Sequence, residues 1–90
     1  MLFEWDERKR IETLQTRGLN FATAWRFFDG RPVVFIPSPR RAEERWKTVA
    51  LIEGAYFTLV WVKRGETIRI ISMRRSHEDE ERAYRTTHAR

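Results

Sequence analysis

Apolar and polar residues alternate along three consecutive segments, and this is the strongest pattern in the chain. The three segments are WKTVALIE (46–53), AYFTLVWV (55–62) and TIRIISM (67–73). A period of two predicts strands, and turn residues separate the segments at Gly54 and at KRGE (63–66). LFEW (2–5) is a short extended segment and VVFI (33–36) a further strand, whereas the prolines of PSPRRAEE (37–44) interrupt pairing and indicate a loop.

Helix-capping residues predict a first helix near the N-terminus. Asp6 is expected to cap a helix over residues 7–17 (ERKRIETLQTR), and Gly18 is expected to end it in the left-handed conformation. Ile11 and Leu14 fall on one side of this helix. We therefore expect these two side chains to form its inner, core-facing side.

Two more helices are predicted, one before the alternating strands and one after them. Asn20 is expected to cap FATAWRFFD (21–29), in which four residues have the i, i+3, i+4, i+7 spacing of a buried stripe. The four are Phe21, Ala24, Trp25 and Phe28. Ser76 is expected to cap a terminal helix over 77–90, whose acidic first turn and basic end complement the helix dipole.

Two-residue turns at Glu53-Gly54 and Arg64-Gly65 would fix the register of the three alternating strands. One face is then almost entirely apolar and is expected to carry the helices. Its members are Trp46, Thr48, Ala50, Ile52, Phe57, Leu59, Trp61, Ile68, Ile70, Ser72 and Arg74. The opposite face holds Arg45, Lys47, Val49, Leu51, Tyr56, Thr58, Val60, Val62, Thr67, Arg69, Ile71, Met73 and Arg75.

This register gathers basic residues on the second face. Lys47 is expected to face Val60, Val60 to face Arg69, and Arg45 to lie one residue pair along. Like charges at this spacing repel, so an anionic group is expected to offset them. Arg74 falls on the opposite face from Arg69 by strict alternation and would need a bulge in its strand to join the basic group.

Composition restricts the kinds of site that the chain can hold. Its 90 residues predict a single domain, 1–90. The absence of cysteine excludes a disulfide framework and any thiolate metal site, and His77 and His88 are the only imidazoles, so neither a metal nor a cofactor is expected. No apolar stretch approaches the length needed to span a membrane, which predicts a cytoplasmic protein with no membrane association.

The charge indicates a polyanionic or acidic partner. The net charge is +5, and 15 of the 18 basic residues are arginine. The planar guanidinium fork matches a phosphate group better than the point charge of lysine does. A codon bias toward arginine is the alternative cause of this composition.

Four short blocks occur in a specific order along the chain. They are FEWDERK (3–9), Gly-Leu-Asn-Phe (18–21), EERW (43–46) and IRIISMRR (68–75). Together they resemble the BrnT family, which are toxins of bacterial type II toxin–antitoxin modules, and the similarity runs from residue 2 to about residue 85. The matching positions are Trp5, Asp6, Lys9, Glu44, Arg45, Arg69, Ser72, Arg74, Glu80 and Tyr84.

The resemblance implies an α+β fold similar to that of the RelE-like ribonucleases. Two N-terminal helices and a C-terminal helix would pack on a mainly antiparallel β-sheet. It also implies a metal-independent endoribonuclease that cleaves RNA and arrests growth. A cognate ribbon-helix-helix antitoxin would neutralise it, and the pair would bind operator DNA through the antitoxin and repress their own operon.

Cleavage of RNA at a 2′-hydroxyl needs a base, stabilisation of the phosphorane charge and an acid for the leaving oxygen. Arg69 and Arg45 are expected at the scissile phosphate, Arg74 at a neighbouring one, and Glu44 as the candidate base. The predicted catalytic set is thus Arg69, Arg45, Arg74 and Glu44. The predicted RNA-binding residues are Lys47, Arg17, Lys9 and Arg75, and Tyr56 or Lys47 is the candidate proton donor.

Each of these roles has a structural alternative. Glu44 and Arg45 can form a surface ion pair, Arg69 a structural salt bridge, and Lys9 part of the helix start. Members of the family usually carry Lys-His-Gly where this chain has Thr16-Arg17-Gly18. The missing imidazole keeps a second hypothesis open: a non-catalytic basic module that binds RNA or an antitoxin.

Overall fold

The computed structural model describes residues 1–88, which form a five-stranded mixed sheet with three helical segments. The strands are β1 (Leu2–Glu4), β2 (Val33–Pro37), β3 (Arg45–Ile52), β4 (Ala55–Arg64) and β5 (Thr67–Arg75). Their spatial order is β1-β5-β4-β3-β2, with β1 parallel to β5 and the other pairs antiparallel. The helical segments are α1 (Glu7–Arg17), the 3₁₀-helix η1 (Phe21–Phe28) and α2 (Glu78–Thr87). The predicted α+β class is therefore confirmed.

Helix α1 has the predicted ends but not the predicted inner side. The carboxylate of Asp6 accepts a hydrogen bond from the backbone N–H of Arg8 at 2.9 Å, and Gly18 takes a left-handed φ of 70°. Ile11 and Leu14 are 42% and 41% exposed, so their assignment to the core was wrong. The reason is the position of the helix: α1 lies beside η1, and none of its residues is buried.

The second helix is a 3₁₀-helix, which changes the residues that it buries. A 3₁₀-helix has three residues per turn, so its buried stripe has an i, i+3, i+6 spacing. Phe21, Ala24 and Phe27 are buried accordingly, whereas Trp25 is 53% exposed. The prediction was wrong for Trp25 because it assumed an α-helical period, while the predicted cap, Asn20, does accept a hydrogen bond from the N–H of Ala22.

The first hairpin turn is the predicted one and the second is not. Ile52 pairs with Ala55, and both turn residues between them, Glu53 and Gly54, have positive φ, as a two-residue type I′ turn requires. In the second hairpin Arg64 pairs with Thr67, so the turn is Gly65-Glu66 instead of Arg64-Gly65. Gly65 supplies the positive φ, 60°, at the first turn position.

A β-bulge in β5 then changes which residues share a face. Trp61 pairs with Ile70, but Val60 pairs with Ser72, which leaves Ile71 as the extra residue. Val60 therefore faces Ser72, and the predicted pairing of Val60 with Arg69 was wrong.

Beyond the bulge, the alternation of β5 is inverted relative to the prediction. Met73 pairs with Leu59 and belongs to the core, and Arg75 lies over the ring of Phe57. Met73 and Arg75 thus lie on the apolar face, opposite to their predicted side. Ser72 and Arg74 lie on the second face, with Arg45 and Lys47. The bulge in β5 that would bring Arg74 to the same face as the other basic residues is therefore present.

The helices cover both faces of the sheet. Segment η1 packs on the apolar face, where the core consists of Phe21, Ala24, Phe27, Ala50, Ile52, Leu59, Trp61, Ile68, Ile70 and Met73. Helix α2 packs on the opposite face, where Glu80 contacts Lys47 and Thr58. The expectation that one face carries all the helices was wrong for α2, because the polar side chains of this second face hold it.

The C-terminal helix begins one residue later than predicted. The backbone N–H of His77 donates to the Glu80 carboxylate at 2.8 Å, so His77 is the N-cap, while the hydroxyl of Ser76 lies 2.7 Å from that of Thr58. The predicted end of the helix at residues 89–90 lies outside the described residues. Within residues 1–88, no helix is long and apolar enough to cross a bilayer.

Candidate nucleic-acid interface

A groove on the second face of the sheet gathers most of the predicted cations. It lies between the first turn of α1, the loop after β2 and the strands β3 to β5. Five cationic side chains line it: Lys9, Arg40, Arg45, Lys47 and Arg74. Ser38 and Ser72 add hydroxyl groups to the lining. We call this site the basic groove.

The buried carboxylate of Glu80 holds two of these cations at the floor of the groove. Arg74 donates from both terminal nitrogens, Nη1 to Oε1 and Nη2 to Oε2, each at 2.8 Å. Lys47 Nζ donates to Oε2 at 3.0 Å, and the hydroxyl of Thr58 donates to Oε1 at 2.9 Å. Glu80 is 1% exposed, so this carboxylate has exchanged its water for protein donors.

The environment of Glu80 keeps it ionised. Burial by itself would raise the pKa of this carboxyl. The hydrogen bonds from Arg74, from the backbone N–H of His77, from Lys47 and from Thr58 outweigh burial and hold the pKa well below its usual range. The anionic group that was expected to offset the repulsion between these cations is therefore part of the protein, since Glu80 supplies the negative charge.

Arg45 forms an ion pair with Glu43 and not with its sequence neighbour Glu44. Its Nε donates to Glu43 Oε1 at 2.8 Å, and Arg64 lies 3.7 Å from the other oxygen of Glu43. The hydrogen bond from Arg45 lowers the pKa of Glu43. Glu44, the predicted base, is exposed just before β3, and within residues 1–88 it forms no salt bridge. The surface ion pair between Glu44 and Arg45, which was the structural alternative to their functional roles, is therefore not formed.

Arg69 shares the face of the basic groove but lies outside its lining. It pairs across β4 with Val62, which pairs with Arg45, so the three residues form one row across the sheet. Its guanidinium lies 3.4 Å from the carboxylate of Glu4 in β1. Arg69 thus has the ion pair that was its structural alternative.

Arg17 and Arg75 line a second, smaller groove at the edge of β5. Arg74 and the ring of Phe57 also line it, so Arg74 is shared between the two grooves. Arg17 donates from Nη1 to the backbone oxygen of Met73 at 3.0 Å. Arg17 therefore ties the end of α1 to the backbone of β5.

The candidate proton donor Tyr56 lies away from the basic groove. Its ring packs edge-on against Tyr84 of α2, with centroids 5.3 Å apart. Along β4 it is four residues from Val60 in the groove lining, which corresponds to roughly 13 Å. The structure therefore separates Tyr56 from the cations that it was expected to serve.

Sequence reasoning gave no role to Glu80, which is the centre of the site. The signal was the capping-box spacing, in which Glu80 follows its N-cap His77 by three residues. Four acidic residues, 78–81, fill that first turn, and although Glu80 is among the positions that resemble the family, nothing in the sequence shows that it is the buried one.

The chemistry available in the basic groove is electrostatic. Its guanidinium and ammonium groups can stabilise the charge that develops on a phosphate under attack. Within residues 1–88, no group of three or more His, Cys, Asp and Glu side chains is placed to hold a metal ion.

Comparison with known proteins agrees with this chemistry. The family model described as "Ribonuclease toxin, BrnT, of type II toxin-antitoxin system" matches residues 5–80, which is most of the chain. No match was found among curated proteins. The matched range includes the groove-lining cations and ends at Glu80. The chain therefore belongs to the BrnT family of ribonuclease toxins of type II toxin–antitoxin systems.

Proposed function

We propose that this protein is a metal-independent endoribonuclease that cleaves RNA in the basic groove and so arrests growth in the cytoplasm. The observation that carries the proposal is that five cationic side chains line one groove of a ribonuclease-family chain. Lys9 and Arg40 are exposed, and within residues 1–88 neither is in a salt bridge, so both are available to phosphates.

In this proposal Arg45 and Arg74 stabilise the charge on the scissile phosphate. Both retain N–H donors beyond those that Glu43 and Glu80 accept. Lys47 supports them from the groove floor, and Arg69 contributes from the same face at longer range. Arg17 and Arg75 bind a flanking phosphate at the second groove, which Arg74 joins to the first.

Proton transfer is assigned to Glu44, the sequence neighbour of Arg45, and to Lys9, which lines the basic groove. Glu44 is the candidate base, because it is exposed, whereas the charge of Glu43 is engaged by Arg45 and Arg64. Lys9 is the candidate acid, because it lines the basic groove and its ammonium group has N–H donors for the leaving oxygen.

The family also supplies the partner in this proposal. A toxin of a type II module has a protein antitoxin, and we propose one with a ribbon-helix-helix DNA-binding domain. The toxin then reaches operator DNA only through that antitoxin, and the pair represses its own operon. The α+β architecture, with α2 on one face of the sheet, supports a relationship in fold to the RelE-like ribonucleases.

The test is cleavage of RNA by the full chain made by cell-free synthesis. We expect cleavage to persist in EDTA, and Arg45→Ala to lower its rate on the order of 100-fold. Arg82→Ala is the matched control, because Arg82 is an exposed arginine of α2 whose nearest carboxylate is 3.9 Å away on the same helix. Glu44→Gln should lower the rate more than Glu43→Gln.

One result would contradict the enzyme assignment, and another would contradict phosphate binding by the basic groove. Binding of RNA without cleavage would favour the non-catalytic module, a reading supported by the lack of histidine among the groove-lining residues of the described chain. RNA affinity that does not fall with rising salt would contradict phosphate binding by the groove itself.

A further inference from the structure

Glu80 accepts more hydrogen bonds than a role in helix capping requires. Two donors attach it to its own helix and the neighbouring strand, namely the His77 N–H and the Thr58 hydroxyl. The remaining contacts come from Lys47 and Arg74, the two cations at the floor of the basic groove. Helix α2 is thus joined to the sheet through the cations that face the RNA site.

The geometry of the Arg74 contact is specific. A guanidinium that donates from both terminal nitrogens to the two oxygens of one carboxylate is held in a single plane. A third hydrogen bond, from Nη1 to the backbone oxygen of Arg75 at 3.2 Å, fixes the same group from another side. Three of the five N–H donors of Arg74 are therefore used, and two are left for a ligand.

Lys47 is fixed by the same carboxylate in a complementary way. Only one of its three N–H donors contacts Glu80, through Oε2. The side chains of Lys47 and Arg74 are 22% and 20% exposed, so each reaches the groove while its charge is held from below. An unpaired lysine or arginine at the surface would sample many rotamers, and ordering it at the transition state would cost entropy.

We propose that Glu80 is a positioning residue that orients the free donors of Arg74 and Lys47 toward the scissile phosphate. This inference rests on the proposed ribonuclease function. It makes the first turn of α2 part of the catalytic apparatus, although no atom of Glu80 touches the substrate. A carboxylate beside the groove lowers the net positive charge that attracts RNA. In this proposal its benefit is that it orients Arg74 and Lys47, which matters more for cleavage than the total charge.

The variant that tests this is Glu80→Gln, which keeps the size of the side chain. Its amide nitrogen would meet donors where an oxygen now accepts, so at least one of the two cations must move away. We expect kcat to fall on the order of 10- to 100-fold. Affinity for an uncleavable 2′-O-methyl RNA should hold or increase, because one negative charge beside the groove is lost.

The matched control is Glu81→Gln, the same substitution at the next position of α2. Glu81 pairs with Arg85 on its own helix at 3.4 Å and does not hold the groove cations. Its kcat and RNA affinity should equal those of the wild type. Melting temperatures of both variants, and kcat per folded molecule, separate positioning from a loss of folded protein.

Coupling between residues gives a readout that a purely structural role would not change. Arg74→Lys should lower kcat in the wild-type background, and it should lower it much less in the Glu80→Gln background, because the orientation is already lost. Equal effects in both backgrounds would overturn the proposal. So would a kcat per folded molecule of Glu80→Gln that matches the wild type.

A measurement without RNA separates this proposal from the ribonuclease assignment. In ¹⁵N-labelled protein, the Nε–H signal of Arg74 should be sharp in the wild type and in Glu81→Gln, and broadened or shifted in Glu80→Gln. If the wild type cuts no RNA but this pattern holds, the ribonuclease assignment fails and the orientation of Arg74 by Glu80 stands. An unchanged Arg74 signal in Glu80→Gln would overturn the orientation whatever the activity.

Discussion

Different interactions attach the helices to the two faces of the sheet. On the apolar face, Phe21 and Leu59 are fully buried in a continuous hydrophobic core under η1. On the opposite face, α2 is held by the hydrogen bonds that Glu80 accepts from Lys47, Thr58 and Arg74, beside the packing of Tyr84 on Tyr56. Hydrophobic burial is non-directional, whereas these hydrogen bonds fix the direction of each donor. The first face therefore suits stability, and the second suits the presentation of charge to a ligand.

The largest expected effect on stability lies on the apolar face. Phe21→Ala should lower the free energy of unfolding by about 3–5 kcal/mol, since it removes a ring that is 0% exposed and leaves a cavity. Trp25→Ala removes a larger ring from the same helix, but Trp25 is 53% exposed, and the loss should stay below about 1 kcal/mol. Chemical denaturation of the two variants checks this, and equal losses would contradict the burial pattern of a 3₁₀-helix.

The polar face should differ from the apolar face in its response to pH. The pKa of Glu80 is lower in the folded chain than its ordinary value of about 4.3, so its stabilisation is complete above that pH. As pH falls below about 4, the folded chain must bind a proton against those hydrogen bonds, and the stabilisation is progressively lost.

Glu80→Gln has no such proton to bind. The difference in unfolding free energy between the wild type and this variant should therefore shrink from pH 6 to pH 3. Glu43 and Asp29, whose pKa values are also lowered by arginine partners, titrate in both proteins and cancel from the difference. Urea denaturation across this range measures it, and a difference that is constant with pH would show that the charge of Glu80 does not stabilise the fold.

The smallest expected effect lies on α1, outside both packed faces. Ile11→Ser and Leu14→Ser should each change the unfolding free energy by less than about 0.5 kcal/mol, because both side chains are more than 40% exposed. A loss comparable to that of Phe21→Ala would mean that α1 packs on the core after all. Denaturation of the two variants beside Phe21→Ala makes this comparison directly.

Local features of the fold could be predicted from the sequence because each depends on neighbouring residues. Asp6 and Gly18 define the ends of α1, and the turn at Glu53-Gly54 includes a glycine, which adopts the positive φ that the turn needs at no steric cost. The errors began where a choice depended on distant contacts. The turn beside Gly65 could begin at either of two residues, and the bulge at Ile71 inverted the rest of β5.

The sequence predicted which cations belong to the candidate site, but not which carboxylates bind them. Lys47, Arg45 and Arg74 were expected in an anion-binding site, and all three line the basic groove. The partners of the cations were not predicted: Glu43 pairs with Arg45, and Glu80, which binds Arg74, had no predicted role. A residue's charge can be read from its identity, but its partner depends on which strand and helix face it across space.

The sequence by itself determined the class of this protein: an arginine-rich α+β chain whose ordered motifs belong to a ribonuclease toxin family. Alternation and capping act over a few residues, so they survive without knowledge of the fold. Only the tertiary structure decided that Arg74 lies on the face with the basic groove, since that depends on one extra residue in β5. It also decided that Glu80, one of four acidic residues in a turn, is the carboxylate buried against the groove cations, because burial depends on where α2 meets the sheet.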